Sequence, residues 1–337
     1  MKDDKIFKLP PYEVSACVSI LSQKKSYSHE MKNIPAMWER TRGKGIKVVV
    51  LDTGVAEHPD LKLAGFEDFT NSGPVDRQGH GTHVCGIVGG LGHNDMGILG
   101  IAPECSLYSG KVLDDRGSGS LDWVVRGIRW AVDVVGADVI NLSLGLPAGF
   151  PDIPQMKAAC DYAYSKGVVV IAASGNEAGA VGQPASYSSV ISVVAVDSRK
   201  SHARFSNKGP ENEFAAGGVD VYSTFLRRSY AKLSGTSMAA PAISGVVALI
   251  LADARNDGKT MTPDDVRKSL QKIAYDVGEE GFDELYGHGI PIFRHHEDDP
   301  NKEEGDVEGE DESPRKRRNV FVRIGRQIRR AWRIIWS

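Results

Sequence analysis

The chain has 337 residues, of which 41% are hydrophobic, and a formal net charge of −3 at pH 7. This length allows one large domain or two modest ones, with enough apolar side chains for a sizeable core. The N-terminus lacks the apolar segment of a secretory signal and no apolar run is long enough to span a bilayer, so we expect a cytoplasmic protein. Cysteines are scattered without metal-site or redox spacing, so we expect free thiols at Cys17, Cys85, Cys105 and Cys160.

The N-terminal segment, residues 1–36, precedes the first predicted core strand. Within it Leu9 and Tyr12 flank the consecutive prolines Pro10 and Pro11. Consecutive prolines favour an extended, polyproline-like backbone and restrict the residue before them. On these residues alone the segment is either a specific extended element or a disordered tail or edge strand.

Two motifs in the first third of the chain carry polar side chains of the kind that catalysis uses. Residues 46–51 form a short, mostly β-branched run, typical of a buried parallel strand, and the run ends in Asp52. Open α/β sheets place their binding and catalytic sites at the carboxyl ends of their strands, although an Asp at such a position is often only a turn or cap residue. Residues 79–84 surround His80 with glycines, and a lone histidine in this setting favours a structural role.

The middle of the chain alternates predicted strands and helices. Residues 108–113 form a predicted strand, and residues 121–135 carry apolar side chains at helical spacing. Residues 139–145 and 167–177 are two further apolar strands, and the second ends in a Gly-Asn turn at Asn176. The asparagine either accommodates a left-handed turn or belongs to a site.

The stretch 234–241 places Ser237 between a glycine turn and an apolar helix. We expect Ser237 at or just before the helix N-terminus, with Pro241 in the first helical turn, where its missing N–H costs no hydrogen bond. A helix N-terminus favours developing negative charge, which suits a nucleophile, whereas the alternative is an ordinary N-cap serine. Further on, residues 262–265 predict a capping-box start for a helix at 266–273.

The C-terminal tail has two segments of opposite charge. From Glu297 to Glu312 ten acidic residues face one lysine, a composition that predicts disorder. Residues 314–337 contain nine Lys and Arg and apolar side chains at helical spacing, which predicts a basic amphipathic helix. Such a helix binds an anionic membrane surface; nucleic acid or an acidic protein is a second partner class, and association with the chain's own acidic segment is a third alternative.

Together, the stretches at 46–52, 79–84 and 234–241 supply Asp52, His80 and Ser237. These are the residue types of an orienting carboxylate, a general base and a nucleophile. Residues 50–54 and 80–84, with residues 235–241, resemble the three signatures of the subtilisin-like serine proteases. In its short N-terminal extension the chain is closest in style to the intracellular subtilisins.

This resemblance extends from Met37 to Ile290. It implies an α/β, three-layer subtilisin-like fold with a mostly parallel central sheet and helices on both faces. It also implies that the backbone N–H of Ser237 and the side-chain amide of Asn176 hold the oxyanion. The departure at Ala242, where most relatives carry histidine, implies a change in packing and no loss of activity.

The resemblance also implies a substrate groove and a cation site. An extended peptide would pair with two backbone stretches, whose residues are Gly117, Ser118, Gly119, Ser143, Leu144 and Gly145. Carboxylate and amide oxygens suit a hard cation, and the resemblance suggests Asp60 and Asn94 as ligands of a structural calcium ion, against the alternative of a turn with an Asx cap. Residues 9–12 resemble the element of a short propeptide that lies across the active site.

The predicted organisation is an N-terminal extension acting as an inhibitory propeptide, a catalytic domain, an acidic disordered linker and a basic amphipathic helix, at 1–36, 37–293, 294–313 and 314–337. The predicted function is endoproteolysis of protein or peptide substrates by an intracellular zymogen, peripheral at the membrane if the tail binds lipid, and homodimeric by analogy. A catalytically silent binding module and an acyl transferase are the alternatives.

Overall fold

The structure, a computed structural model, describes residues 6–18, 23–92 and 97–293. The suggested calcium ligand Asn94 and the two C-terminal segments, 294–313 and 314–337, lie outside the described residues. The linker, the basic helix, and binding of membrane or nucleic acid therefore stay predictions.

Strands and helices alternate along the described chain. The strands are β1 (Phe7–Lys8), β2 (Glu13–Val18), β3 (Gln23–Lys24), β4 (Lys47–Asp52), β5 (Leu63–Asp68), β6 (Gly97–Ile98), β7 (Ser106–Lys111), β8 (Ser118–Gly119), β9 (Val139–Leu142), β10 (Val169–Ala173), β11 (Val190–Val196), β12 (Phe214–Gly217), β13 (Val221–Phe225), β14 (Ser229–Ser234), β15 (Ala274–Tyr275) and β16 (Ile290–Pro291). The α-helices are α1 (Tyr27–Met31), α2 (Ile34–Trp38), α3 (His80–Gly89), α4 (Leu121–Trp130), α5 (Pro154–Ser165), α6 (Thr236–Asn256) and α7 (Pro263–Ile273).

Seven strands form the central sheet in the order β12-β11-β10-β9-β4-β7-β5. All six neighbouring pairs are parallel. Parallel neighbours need long crossover connections, which helices supply here. The predicted three-layer α/β fold with a parallel sheet is confirmed.

Each face of the sheet has its own core, because successive side chains of a strand point to opposite faces. In β4, Val48 and Val50 pack in the cluster that contains α3 and α6. Val49 and Leu51 pack in the other cluster, with α4 and α5. Burial on both faces explains why this strand is a continuous apolar run and does not alternate apolar with polar residues.

Several predicted elements have bounds that differ from those expected, and two differences matter here. The strand expected at 108–113 spans Ser106–Lys111. Its limits follow from its pairing with β4 and not from its own composition. The helix expected at 121–135 is α-helical only to Trp130 and continues as a π-helical turn over Ala131–Val135. Gly136 then ends it in a left-handed conformation with φ 62°.

Helix α6 begins one residue before Ser237, as expected, but the expectation for Pro241 was wrong. Pro241 is the sixth residue of the helix, inside the second turn. Its missing N–H leaves the Ser237 carbonyl, four residues earlier, without a helical partner, and another group takes that place in the site described below. Among the described helices α6 is the one long and apolar enough to cross a membrane, but 89% of its apolar window is buried inside the protein.

The capping box at the start of α7 and the free thiols are as expected. The Thr262 side chain accepts from the Asp265 N–H, and the Asp265 carboxylate accepts from the Thr262 N–H at 3.0 Å. Cys85, Cys105 and Cys160 are free. Burial raises the pKa of the Cys105 and Cys160 thiols to about 12, so neither is a reactive thiolate near neutral pH. The side chain of Cys17 lies outside the described residues.

Three described strands of the N-terminal segment pair with strands in the rest of the protein. Strand β1 is antiparallel to β8, and β3 is parallel to β6. Strand β2 adds to the hairpin β13–β14 as a third, antiparallel strand beside β14. Strand β14 leads directly into the turn before Ser237. Because β2 pairs with β14, this part of the N-terminal segment lies beside the serine motif.

His83 attaches α3 to this hairpin. Its Nε2 lies 3.0 Å from the Val221 carbonyl oxygen and 3.1 Å from that of Ala231, so this nitrogen carries a proton and donates. The ring is fully buried, and burial lowers the pKa of His83 to about 3; burial likewise lowers the pKa of His29 to about 4. Both rings are therefore neutral in the folded protein at neutral pH.

This burial predicts that acid destabilises the fold. The unfolded chain binds protons at His83 and His29 below its pKa of about 6.5, whereas the folded chain does not until far lower pH. Their stabilisation is therefore complete above about pH 6.5 and is lost below it, by about 1.4 kcal/mol per pH unit for each histidine.

His83→Gln should consequently show a shallower fall in the free energy of unfolding between pH 6.5 and 4.5. Denaturant titrations of both proteins in a Ser237→Ala background, which prevents self-digestion, measure this. Carboxylates titrate alike in both proteins and cancel from the comparison. An equal pH slope would contradict the assignment.

Candidate active site

The Asp52 carboxylate and the His80 imidazole meet where β4 ends and α3 begins. Nδ1 of His80 lies 2.9 Å and 3.0 Å from the two carboxylate oxygens, and both side chains are fully buried. The Thr53 N–H donates to the same carboxylate at 2.7 Å. A carboxylate beside Nδ1 holds the proton on that nitrogen, which leaves the lone pair of Nε2 available as a base. Among the described residues, Nε2 has no hydrogen-bond partner.

Asp76, which the sequence analysis did not single out, holds the loop before His80. One of its carboxylate oxygens accepts from the N–H groups of Gln78 and Gly79, and the other accepts from the N–H and hydroxyl of Thr82, at 2.6–3.0 Å. It thereby supplies partners for donors at the start of α3 that have no helical acceptor. An acidic residue four positions before His80 was the signal in the sequence.

Ser237 is fully buried, and both its hydroxyl and its carbonyl contact Ser143. The Ser237 Oγ donates to the Ser143 carbonyl at 3.2 Å, and the Ser143 Oγ donates to the Ser237 carbonyl at 2.9 Å. The second bond uses the carbonyl that Pro241 leaves free. Ser143, predicted as a groove residue, therefore fixes the backbone of the serine motif, while the serine hydroxyl donates to Ser143 and not to the histidine.

The Asn176 amide is oriented by Thr236, the residue before Ser237. Its Oδ1 accepts from the Thr236 N–H at 2.9 Å and from the Thr236 hydroxyl at 2.7 Å. This leaves Nδ2 to donate, and Nδ2 lies 2.7 Å from the carbonyl oxygen of Pro11. The geometry therefore brings a peptide carbonyl of the N-terminal segment to the amide that the sequence analysis assigned to an oxyanion.

The N-terminal segment lies between the two predicted groove stretches. Lys8 exchanges backbone hydrogen bonds with Gly145, at 3.4 and 3.3 Å, and the Leu9 N–H donates to the Gly117 carbonyl at 3.0 Å. Leu9 also packs on Gly117, where a Cβ would come within 2.8 Å of the leucine side chain. Phe7 is fully buried in the core cluster that includes Leu144. The chain is held as an added strand, chiefly through its backbone.

Tyr12 follows Pro11 and covers the imidazole. Its ring centroid lies 5.1 Å from that of His80, and its hydroxyl contacts the side-chain amide of Gln78. Burial raises the pKa of Tyr12, so the phenol is neutral here. The segment therefore contacts the histidine, the asparagine and both sides of the groove.

Asp60, the other suggested calcium ligand, is fully buried. One carboxylate oxygen accepts from the Ile98 N–H at 2.7 Å and from the Tyr230 hydroxyl at 2.9 Å. Its backbone carbonyl accepts from the Leu91 N–H, at the start of the loop that contains Asn94. No group of three His, Cys, Asp or Glu side chains that could hold a metal occurs among the described residues, so carbonyl and amide oxygens would have to complete a site.

Comparison with known sequences agrees with this geometry. The sequence model of the subtilase family matches residues 43–289. Subtilisin DY of Bacillus licheniformis is 44% identical over 74% of this chain and 89% of its own length, and subtilisin Savinase of Lederbergia lenta is 40% identical over the same shares. M-protease of Shouchella clausii is 39% identical over 82% of this chain and 71% of its own. The chain belongs to the subtilase family of serine endopeptidases.

Proposed function

We propose that this protein cleaves peptide bonds through an acyl-enzyme, with Ser237 as nucleophile, His80 as general base and Asp52 as the orienting carboxylate. The observation that carries the proposal is the buried Asp52–His80 pair with its unpartnered Nε2, because His80 begins α3 and α3 packs against α6, whose second residue is Ser237. Attack requires the Ser237 hydroxyl to rotate from the Ser143 carbonyl to Nε2. His80 then takes its proton and returns it to the leaving amine, while Asp52 stabilises the imidazolium.

Asn176 and the Ser237 backbone N–H would hold the oxyanion that forms on the attacked carbonyl. Support comes from the Pro11 carbonyl, which already receives a hydrogen bond from Asn176 Nδ2. Because Thr236 occupies the amide oxygen, the N–H₂ end is the one presented to the substrate. Such preorganised donors stabilise the developing charge without reorganising during the reaction.

The direct test compares wild type with Ser237→Ala. Wild type should hydrolyse casein and react covalently with a fluorophosphonate at Ser237, and the variant should do neither. Casein cleavage that persists in the variant would overturn the proposal. A wild type that stays unlabelled and inactive after its N-terminal segment has been removed would favour a silent binding module, and ligated peptide products in the presence of added amines would favour an acyl transferase.

We further propose that the protein is made as a zymogen, with residues 6–12 as the inhibitory segment. Three contacts support this: Asn176 holds the Pro11 carbonyl, Tyr12 covers His80, and Phe7 fills an apolar pocket. Pro10 and Pro11 have no N–H to donate to the groove, and their fixed φ restricts how the bond between Pro11 and Tyr12 can approach Ser237. Removal of the segment would then free the site.

Cytoplasmic location, a homodimer and attachment to an anionic membrane through residues 314–337 are proposals of the same standing. Fractionation of cells, sedimentation of the purified full chain, and binding to vesicles with and without anionic lipid test them separately.

Asn176→Ala is expected to lower kcat by about 10²- to 10³-fold, a magnitude measured on subtilisin itself, a member of this family. KM should change little, because the amide acts mainly on the transition state. Progress curves with a chromogenic peptide amide measure both constants. As a control, Asn71→Gly, on the surface loop after β5, should match wild type. A rise in KM at constant kcat would contradict the oxyanion role.

Phe7→Asp in the full chain is expected to raise the initial rate on a short chromogenic peptide by at least about 10-fold. Burial of a phenylalanine contributes about 1.5–3 kcal/mol, and an unpaired carboxylate in its place would expel the segment. Val14→Asp is the matched control, because Val14 lies just after the inhibitory residues, in β2 of the N-terminal segment, and is 46% exposed. Equal initial rates for wild type and Phe7→Asp would contradict inhibition by this segment.

Calcium as a structural ion, with Asp60 as a ligand, is also proposed. A chelator should then lower the Tm of the Ser237→Ala protein by about 5–10 °C, since loss of a ligand bound to the folded state removes a few kcal/mol. Asp60→Asn keeps the hydrogen-bond acceptor but weakens cation binding, so its Tm should respond less to chelator. Differential scanning calorimetry measures this, and identical responses would exclude Asp60 as a ligand.

A further inference from the structure

We propose that Asp220 is a specificity-determining residue that selects a hydroxyl-bearing side chain at the fourth substrate residue after the cleaved bond. The inference rests on the proposed function, because it takes the N-terminal segment as a guide to the path of a substrate chain. In that segment the carbonyl at Asn176 belongs to Pro11, so the fourth residue after it is Ser15.

Beyond the active site the segment continues as an added strand. In β2, Glu13 pairs with Ser234, Val14 with Leu233, and the later residues pair in order as far as Tyr230. These contacts join backbone groups, which every substrate carries. Pairing with the edge of β14 would therefore accept many substrate sequences. Selectivity has to come from protein side chains that contact the side chains of the substrate.

Ser15 is the residue at which the pairing is irregular. Val14 pairs with Leu233 and Ala16 pairs with Lys232, so Ser15 is the extra residue of a β-bulge on β2. A bulge bends its strand and redirects the side chain of the extra residue. The Ser15 hydroxyl is directed to Asp220 Oδ1 at 2.6 Å and lies 3.1 Å from the Lys232 carbonyl oxygen.

Asp220 is held in place by the turn before β13. Its backbone is left-handed, with φ 52°, and its N–H donates to the Ser234 Oγ at 2.9 Å. Ser234 lies three residues before Ser237, so the position of the carboxylate is tied to that of the serine motif. The turn therefore presents an oriented acceptor on the side of the site that binds residues after the cleaved bond.

The chemistry of the acceptor defines the preference. A carboxylate accepts hydrogen bonds and cannot donate, so serine and threonine can satisfy it, alanine cannot, and glutamate places a second negative charge beside it. Because the contact is exposed, its contribution is that of an ordinary hydrogen bond and not of a buried ion pair. We therefore expect a preference, and not an absolute requirement.

The experiment uses peptides that differ only at the fourth residue after the cleaved bond, with Ser, Ala or Glu there, and that extend about six residues past the bond to cover β14. The enzyme is the full-length protein, incubated until mass spectrometry shows that its N-terminal trimming is complete. Wild type should cleave the Ser peptide with a kcat/KM about 3- to 10-fold above that of the Ala peptide, with the Glu peptide slowest.

Asp220→Gly should bring all three peptides to similar kcat/KM values. Glycine adopts the left-handed backbone without strain, so the variant removes the carboxylate and keeps the turn. Asp220→Asn retains an acceptor oxygen without the charge, so it should keep a Ser preference and lose the discrimination against Glu. Asn71→Gly, at another left-handed surface position with φ 59°, should behave as wild type.

A second measurement does not depend on trimming. In the untrimmed full chain, Ser15→Ala and Asp220→Gly should each raise the initial rate on a short chromogenic peptide by about 3- to 10-fold. The double variant should be no faster than either single variant, because both remove the same contact.

The outcomes distinguish failure of this inference from failure of the proposed function. Equal kcat/KM for the Ser and Ala peptides in wild type, or a Ser preference that survives Asp220→Gly, would overturn this inference and leave the protease intact. Cleavage of no peptide by wild type, or equal cleavage by Ser237→Ala, would overturn the proposed function and this inference with it.

Discussion

The hydrogen bond between the Asp52 carboxylate and His80 Nδ1 is the contact on which the site depends. A buried carboxylate is costly unless donors surround it, and here the imidazole and the Thr53 N–H supply them. The bond also demands that the end of β4 and the start of α3 approach closely. A Cβ at Gly81 would lie 2.3 Å from the Gly54 carbonyl oxygen, so only glycine permits the approach.

A second constraint acts on the serine motif through the backbone of α6. Pro241 has no N–H to donate to the Ser237 carbonyl, and the Ser143 hydroxyl, just after β9, donates to it instead. The Asn141 side chain donates to the Ser143 Oγ and accepts from the Ser244 hydroxyl, so the network returns to α6. A proline that would only weaken another helix here leaves free the acceptor that joins α6 to Ser143, in the predicted substrate groove.

Local sequence was a good guide to the elements of the fold but a poor guide to their limits. The apolar run at 46–51 and the capping residues at 262–265 predicted β4 and the start of α7, because each depends on neighbouring residues. The shift of β7 and the π-helical turn at Ala131–Val135 depend on pairing partners and packing across the sheet, which no local pattern contains. The prediction that Pro241 lies in the first helical turn was wrong because the first residue of a helix is hard to place within a turn from sequence alone.

The same division applies to the candidate site. The motifs identified Asp52, His80, Asn176 and Ser237, and the structure brings the first two into contact and orients the third, while their catalytic roles stay proposals. Asp76 escaped notice because an aspartate before a helix is ordinary until its four bonds are seen.

By itself the sequence determined which residue types stand at the ends of the strands and helices, since that information is local and periodic. Only the tertiary structure decided that Tyr12 covers His80, that Ser237 turns to Ser143, and that Ser15 meets Asp220 at a bulge. These contacts join residues far apart in the chain, and their geometry follows from how sheet, hairpin and N-terminal segment pack against one another.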